Sequence, residues 1–145
     1  MLLLLIIKFY TIMEFNINPF AATILSIFFT CCTFMAIGWF LLLNGIVILI
    51  CLILQLVLIW KLHMMEGLAK IYLFATLISF IILCLFREDF GDTSNSAISP
   101  LSIISKLIGL RDSARYHEVS IFGSVVNFLW FGQLIGQIAG LIKFR

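Results

Sequence analysis

Charged residues are scarce in this sequence. They make up 11% of its 145 residues, against about 25% in a typical soluble domain, whereas hydrophobic residues make up 63%. This composition lies far outside the soluble class, and it also excludes intrinsic disorder because disordered chains are polar and highly charged. Nine basic residues are nearly balanced by seven acidic ones, which argues against a nucleic-acid-binding protein. We therefore expect an integral membrane protein of a bacterial inner membrane or an organelle membrane, with the lipid bilayer as its first partner.

Residue groupings typical of catalysis or metal binding are also lacking. The four cysteines form no C-x-x-C pair, so redox chemistry has no local support. The two histidines, His63 and His117, lie on segments expected at opposite membrane faces and cannot share a metal or a haem. No charge falls in the middle of an apolar run, which argues against a proton-driven transporter. We expect no enzyme activity, no cofactor and no metal.

Long uncharged runs dominate what remains. The 42 residues from Pro19 to Trp60 carry no charge, a length that corresponds to about 63 Å of helix and is twice the thickness of a bilayer core. One helix cannot use this run, so we interpret it as a hairpin of two spans. The sequence predicts an all-α integral membrane protein, a single polytopic domain over residues 1–145 with four transmembrane helices. The predicted spans are about 18–37, 39–60, 67–86 and 121–142.

Two positions leave alternatives open. The first hairpin turns either at Gly38, which would place Trp39 and Trp60 at opposite interfaces, or at the turn dipeptide Asn44-Gly45. Asn18-Pro19 is typical of a helix start, with the asparagine as N-cap and the proline at the first helical position. Translation starts at either Met1 or Met13, because the first residues are too short to span and lack a signal peptide's pattern.

The segment 87–120 is the one sizeable polar stretch. Within it, residues 101–110 place polar and apolar side chains on opposite sides at helical spacing. This pattern predicts a short amphipathic interfacial helix between the third and fourth spans. Lys106, Arg111 and Arg115 are the basic residues that would contact lipid head groups there.

Small and polar residues recur at helical spacing inside the spans. Gly132, Gly136 and Gly140 form a doubled small-xxx-small pattern, which indicates close helix contact in lipid. Polar side chains accompany them in the second and fourth spans: Asn44, Gln55, Gln133 and Gln137. These residues either join helices by hydrogen bonds or, together with Asn127, line a polar path for a solute.

The packing interpretation is the stronger one, because hydrogen bonds between membrane helices are common and weak, at about 0.6 kcal/mol. The sequence therefore favours a non-catalytic packing or accessory component of a membrane complex, with a membrane-protein partner or a second copy of the chain. The alternative is a small oligomeric channel or carrier for a neutral solute. The sequence resembles no family that would decide between them.

Overall fold

The computed structural model describes residues 18–35, 39–90, 97–109 and 121–144 of the chain. This part is mostly helical and contains one antiparallel pairing of two-residue strands, in which Asp89 faces Ile98 and Phe90 faces Ala97. The elements, in chain order, are α1 (Pro19–Met35), α2 (Trp39–Leu62), α3 (Leu68–Phe86), β1 (Asp89–Phe90), β2 (Ala97–Ile98), α4 (Pro100–Leu107) and α5 (Ile121–Lys143).

Three of these helices are long and apolar enough to cross a membrane. The qualifying segments are Asn44–Leu62 in α2, Leu68–Phe86 in α3 and Val125–Lys143 in α5. The helix α1 is also apolar but has 17 residues, just short of the usual length of about 20 residues for a span. The expectation of an all-helical membrane protein is confirmed at this level, with three to four apolar helices that could span.

The start of α1 follows the predicted capping pattern. Asn18 Oδ1 accepts a hydrogen bond from the backbone N–H of Phe20 at 3.0 Å, and Ala22 N–H donates to the Asn18 carbonyl at 3.0 Å. Proline fits the first helical position because its missing N–H would have had no partner inside the helix. The asparagine cap is therefore confirmed.

The helix α2 runs without interruption through Asn44 and Gly45, so the chain does not turn at this dipeptide. The alternative turn residue, Gly38, lies outside the described residues. At the other end, Leu62 is followed by a short connection to α3 in which Gly67 has a φ of 66°. A side chain at that position would clash with its own backbone, so glycine is required where the chain enters α3.

The four long helices pack into one bundle. Both α1 and α5 contact α2 and α3, and α2 and α3 also contact each other. One apolar cluster, which includes Leu58, Leu62 and Leu73, lies near the α2–α3 connection. A second cluster nearer the other end contains Ile48, and in it the rings of Phe80 and Trp130 meet edge to face at 5.7 Å. At that end α4 packs against α1 and α3, while β1 contacts α2.

Candidate functional site

The buried face of α5 carries the main concentration of polar side chains among the described residues. Asn127, Trp130, Gln133 and Gln137 follow one another in steps of three, three and four, which keeps them on one side of the helix. Their exposed fractions are 5%, 1%, 7% and 0%. This polar face of α5 is directed into the bundle.

Gln137 connects the polar face to α2. Its Nε2 donates a hydrogen bond to Oε1 of Gln55 at 2.9 Å, and the Gln55 side chain is itself fully buried. A second contact between the same helices is weaker, because it runs from the Cys51 thiol to the Trp130 carbonyl at 3.9 Å. The structure therefore brings together two of the glutamines that the sequence singles out.

Gln133 connects the polar face to α3 instead. Its Oε1 accepts from the Ser79 hydroxyl at 2.7 Å, and its Nε2 donates to the Thr76 carbonyl at 3.1 Å. Both ends of the Gln133 amide are thus bonded within the protein. Gln133 and Gln137 are only four positions apart, yet they join α5 to different neighbours.

The three glycines of α5 lie in different surroundings. A Cβ added at Gly140 would lie 2.9 Å from Cζ of Tyr72. A Cβ added at Gly136 would lie 3.8 Å from Oη of the same tyrosine. The Tyr72 hydroxyl also donates to the Gly136 carbonyl. Gly132 is exposed, and a Cβ there would meet no atom of the described structure within 4 Å. Gly140 is therefore a close-contact position inside the bundle, and Gly132 lies on its outer surface.

A second group of polar contacts joins the helix ends near residue 87. Arg87 is fully buried, and its Nη2 donates to the Thr33 carbonyl in the last turn of α1 at 2.9 Å. Thr33 Oγ1 contacts the Cys84 carbonyl at 3.2 Å. Asn127 Nδ2 donates to the Glu88 carbonyl at 3.0 Å, which attaches α5 to the same junction.

Sequence reasoning missed the Arg87 junction. The sequence pattern assigns Arg87 to the polar segment after the third span, where a charge is ordinarily solvated. Its position directly after the third predicted span is the available signal, because cations are favoured near the carbonyl ends of helices.

Hydroxyl groups on α1 are satisfied mostly within their own helix. Ser26 Oγ donates to the Ala22 carbonyl and Thr30 Oγ1 to the Ser26 carbonyl, each at 2.8 Å. These side chains are buried and small, so they let neighbouring helices approach closely. Thr33, in the last turn of α1, also donates to a carbonyl of α3.

Four buried polar atoms on α2 and α5 have no hydrogen-bond partner within the described part of the protein. They are Nε2 of Gln55, Oε1 of Gln137, Nε1 of Trp130 and Oδ1 of Asn127. On α1, the buried Thr23 hydroxyl also has no hydrogen-bond partner among the described residues. Buried polar groups are almost always paired in proteins, so each of these atoms calls for a physical explanation.

The remaining predicted site residues belong to other parts of the chain. Asn44 is half-buried in α2, and Lys106 belongs to α4. Arg111, Arg115 and His117 are outside the described residues. His63 follows α2, where its Nδ1 lies 2.9 Å from the Trp60 carbonyl. In the described ranges there is no cluster of three metal-ligating side chains, and the cysteines are unpaired.

Comparisons with models of protein families, with curated proteins and with solved structures found no match to this chain.

Proposed function

We propose that this chain is a non-catalytic packing or accessory component of a membrane complex, built on four spans: α1, α2, α3 and α5. The crossing of α1 is supported by its contacts at both ends of the bundle. Near its start, the Phe20 ring meets the Trp60 ring at 5.3 Å, and near its end Thr33 contacts Cys84. Trp60 and Cys84 lie at opposite ends of the α2–α3 pair, so α1 extends along its length.

An interfacial position for α4 is part of the same proposal. Leu107 and Ile108 are 67% and 63% exposed, although α4 packs against two helices of the bundle. Apolar side chains left uncovered beside a membrane span favour insertion at the boundary between head groups and acyl chains. Lys106 in α4, followed by Arg111 and Arg115, would supply the basic groups that contact lipid head groups.

The observation that carries the accessory role is the outward position of Gly132. Glycine weakens an α-helix by about 1 kcal/mol relative to alanine, and no close contact inside the described bundle requires it at this position. Ala139 is exposed two turns further along, so a small-residue strip defined by Gly132 and Ala139 runs along the outer surface of α5. Such a strip allows the backbone of a partner helix to approach closely.

The test is association in a mild detergent. We expect the wild-type chain to be recovered with a membrane-protein partner or a second copy of itself, and Gly132→Leu to be recovered alone. Ala75→Leu is the matched control, because Ala75 is a small exposed residue on α3, outside the strip. Equal recovery of the partner with all three proteins would contradict the proposal.

A second candidate function is an oligomeric channel or carrier for a small neutral solute. It is favoured by the four unpaired polar atoms of Gln55, Gln137, Trp130 and Asn127, which could exchange hydrogen bonds with a passing molecule. Flux of small polar solutes into proteoliposomes decides this alternative. A flux that Gln55→Leu abolishes while the protein remains folded would favour it over the accessory role.

A further inference from the structure

The side-chain amides of Gln55 and Gln137 have more hydrogen-bond donors and acceptors than the single bond between them uses. Together they offer two NH2 groups and two carbonyl oxygens, yet one hydrogen bond joins them, from Nε2 of Gln137 to Oε1 of Gln55. Nε2 of Gln55 and Oε1 of Gln137 remain without a protein partner among the described residues. Reversing both amides would exchange the donor and the acceptor of this bond, but one NH2 group and one carbonyl oxygen would still be left unpaired.

Leaving these two polar atoms unpaired is energetically costly in the interior of the bundle. Both side chains are fully buried inside helices that are apolar enough to span a membrane. A lipid environment offers no hydrogen bonds, so an unpaired donor or acceptor there loses its hydration without replacement. One molecule that can both donate and accept would satisfy both atoms at once.

We infer that the polar face of α5 binds ordered water inside the bundle, with one water molecule bridging Gln55 Nε2 and Gln137 Oε1. This water accepts from the first atom and donates to the second, which leaves it one proton and one lone pair for other groups. Buried waters in proteins typically make two to four such bonds to polar groups that the protein leaves unpaired. Water is the smallest molecule with this chemistry and is present at every membrane surface.

The same face provides further binding positions toward the other end of the bundle. The indole Nε1 of Trp130 is a donor and Oδ1 of Asn127 is an acceptor, and neither has a protein partner in the described part of the chain. Trp130 and Asn127 lie about 10 Å and 15 Å along the axis from Gln137, at 1.5 Å per residue. The inferred waters therefore follow α5 over much of its length. This inference holds whether the chain is an accessory component or a channel.

Gln133 provides an internal control for this inference. It is buried on the same face, between Trp130 and Gln137, but its Oε1 and Nε2 are bonded to Ser79 and Thr76. Ordered water predicts an alternating pattern of water contact along the face, with contact at Gln55 and Trp130 and little at Gln133. Simple penetration of water from one membrane surface predicts a monotonic decrease with depth instead.

The experiment is solid-state NMR of the full chain in lipid bilayers, with magnetisation transferred from water to 15N-labelled side chains. The sequence contains three glutamines and three tryptophans, so the spectra are sparse. Gln55→Met and Gln133→Met assign the amide signals, and the half-exposed Trp60 serves as a reference for a hydrated indole.

We expect transfer from water to the Gln55 amide and the Trp130 indole to be several-fold faster than transfer to the Gln133 amide. Equally slow transfer at all three would show that the polar atoms are dry and would overturn the inference. Equally fast transfer at all three would overturn it as well, because the contact would then not follow the unpaired atoms.

Discussion

The ring of Tyr72 lies directly against the backbone of Gly140. The distance from Cζ to the position of a Cβ at residue 140 is 2.9 Å, shorter than ordinary carbon contacts allow. The ring has two further contacts, since its hydroxyl donates to the Gly136 carbonyl and its centroid lies 5.5 Å from the centroid of the tilted Phe144 ring. Glycine at position 140 therefore permits the contact between α3 and α5 at this end of the bundle.

The glycines of α5 should respond to alanine in a graded way. Gly140→Ala should destabilise the protein by about 1–3 kcal/mol, because the new methyl group forces the Tyr72 ring out of its position. Gly136→Ala should cost less, since its Cβ would make an ordinary contact at 3.8 Å. Gly132→Ala should be neutral or slightly stabilising, by up to about 1 kcal/mol, because alanine favours helix. Thermal unfolding in a lipid nanodisc measures all three.

The clash expected between an alanine at position 140 and the Tyr72 ring also predicts energetic coupling between these two positions. In the double variant Gly140→Ala with Tyr72→Ala, the total loss of stability should be smaller than the sum of the two single losses. Strict additivity would mean that the ring does not limit residue 140.

Gln133 should couple energetically to α3 and not to Asn44. Gln133→Leu removes the acceptor for Ser79, so its cost and that of Ser79→Ala should overlap in the double variant. Asn44 lies on α2, whereas both bonds of Gln133 go to α3, so Asn44→Leu and Gln133→Leu should be additive. Double-mutant cycles on the free energy of unfolding distinguish these results, and strong coupling of Gln133 to Asn44 would contradict this assignment.

The Gln55–Gln137 pair should be more sensitive to one substitution than to two. Gln137→Leu should cost about 0.5–2 kcal/mol, because it leaves the Gln55 amide buried without its bond. Replacing both residues with leucine removes the unpaired groups together, so the double variant should regain much of that loss. A double variant less stable than either single variant would show that the two glutamines stabilise the protein by more than the hydrogen bond between them.

Arg87 should matter more for stability than another cation placed at a helix end. Arg87→Met removes a fully buried donor to α1 and should cost about 1.5–3 kcal/mol, the range for hydrogen bonds to charged groups. Lys61→Met is the control, because the half-buried Lys61 donates to the Leu141 carbonyl at 3.1 Å in an analogous way. Its cost should be about 0.3–1 kcal/mol. Equal losses in chemical unfolding would refute the distinction.

The apolar helices could be predicted from the sequence because their signal is local. A run of uncharged residues and a cap such as Asn18 involve neighbours along the chain, and the helix start at Pro19 follows from them directly. The choice between Gly38 and Asn44-Gly45 was harder, since both are turn formers. The length of the following helix favoured Gly38, and the structure continues α2 through Asn44.

The assignment of polar residues to partners could not be predicted, because it depends on how the helices are rotated in the bundle. Gln133 and Gln137 belong to one sequence stripe, yet they bond to α3 and α2 respectively. The glycines illustrate the same limit. Residues four apart drift by about 40° around a helix, so Gly132 and Gly140 differ by about 80°. This rotation separates an exposed glycine from a buried one although the sequence pattern is continuous.

In the proposed role, α5 uses one face to hold the bundle and the opposite strip, Gly132 and Ala139, to bind a partner. The most direct measurement is the mass of the particle that the wild-type chain and Gly132→Leu form in mild detergent, determined by native mass spectrometry alongside thermal unfolding. We predict a complex for the wild type, the bare chain for Gly132→Leu, and the same unfolding temperature for the separated chains. A wild-type chain that is recovered alone, or a complex that survives Gly132→Leu unchanged, would contradict the claim.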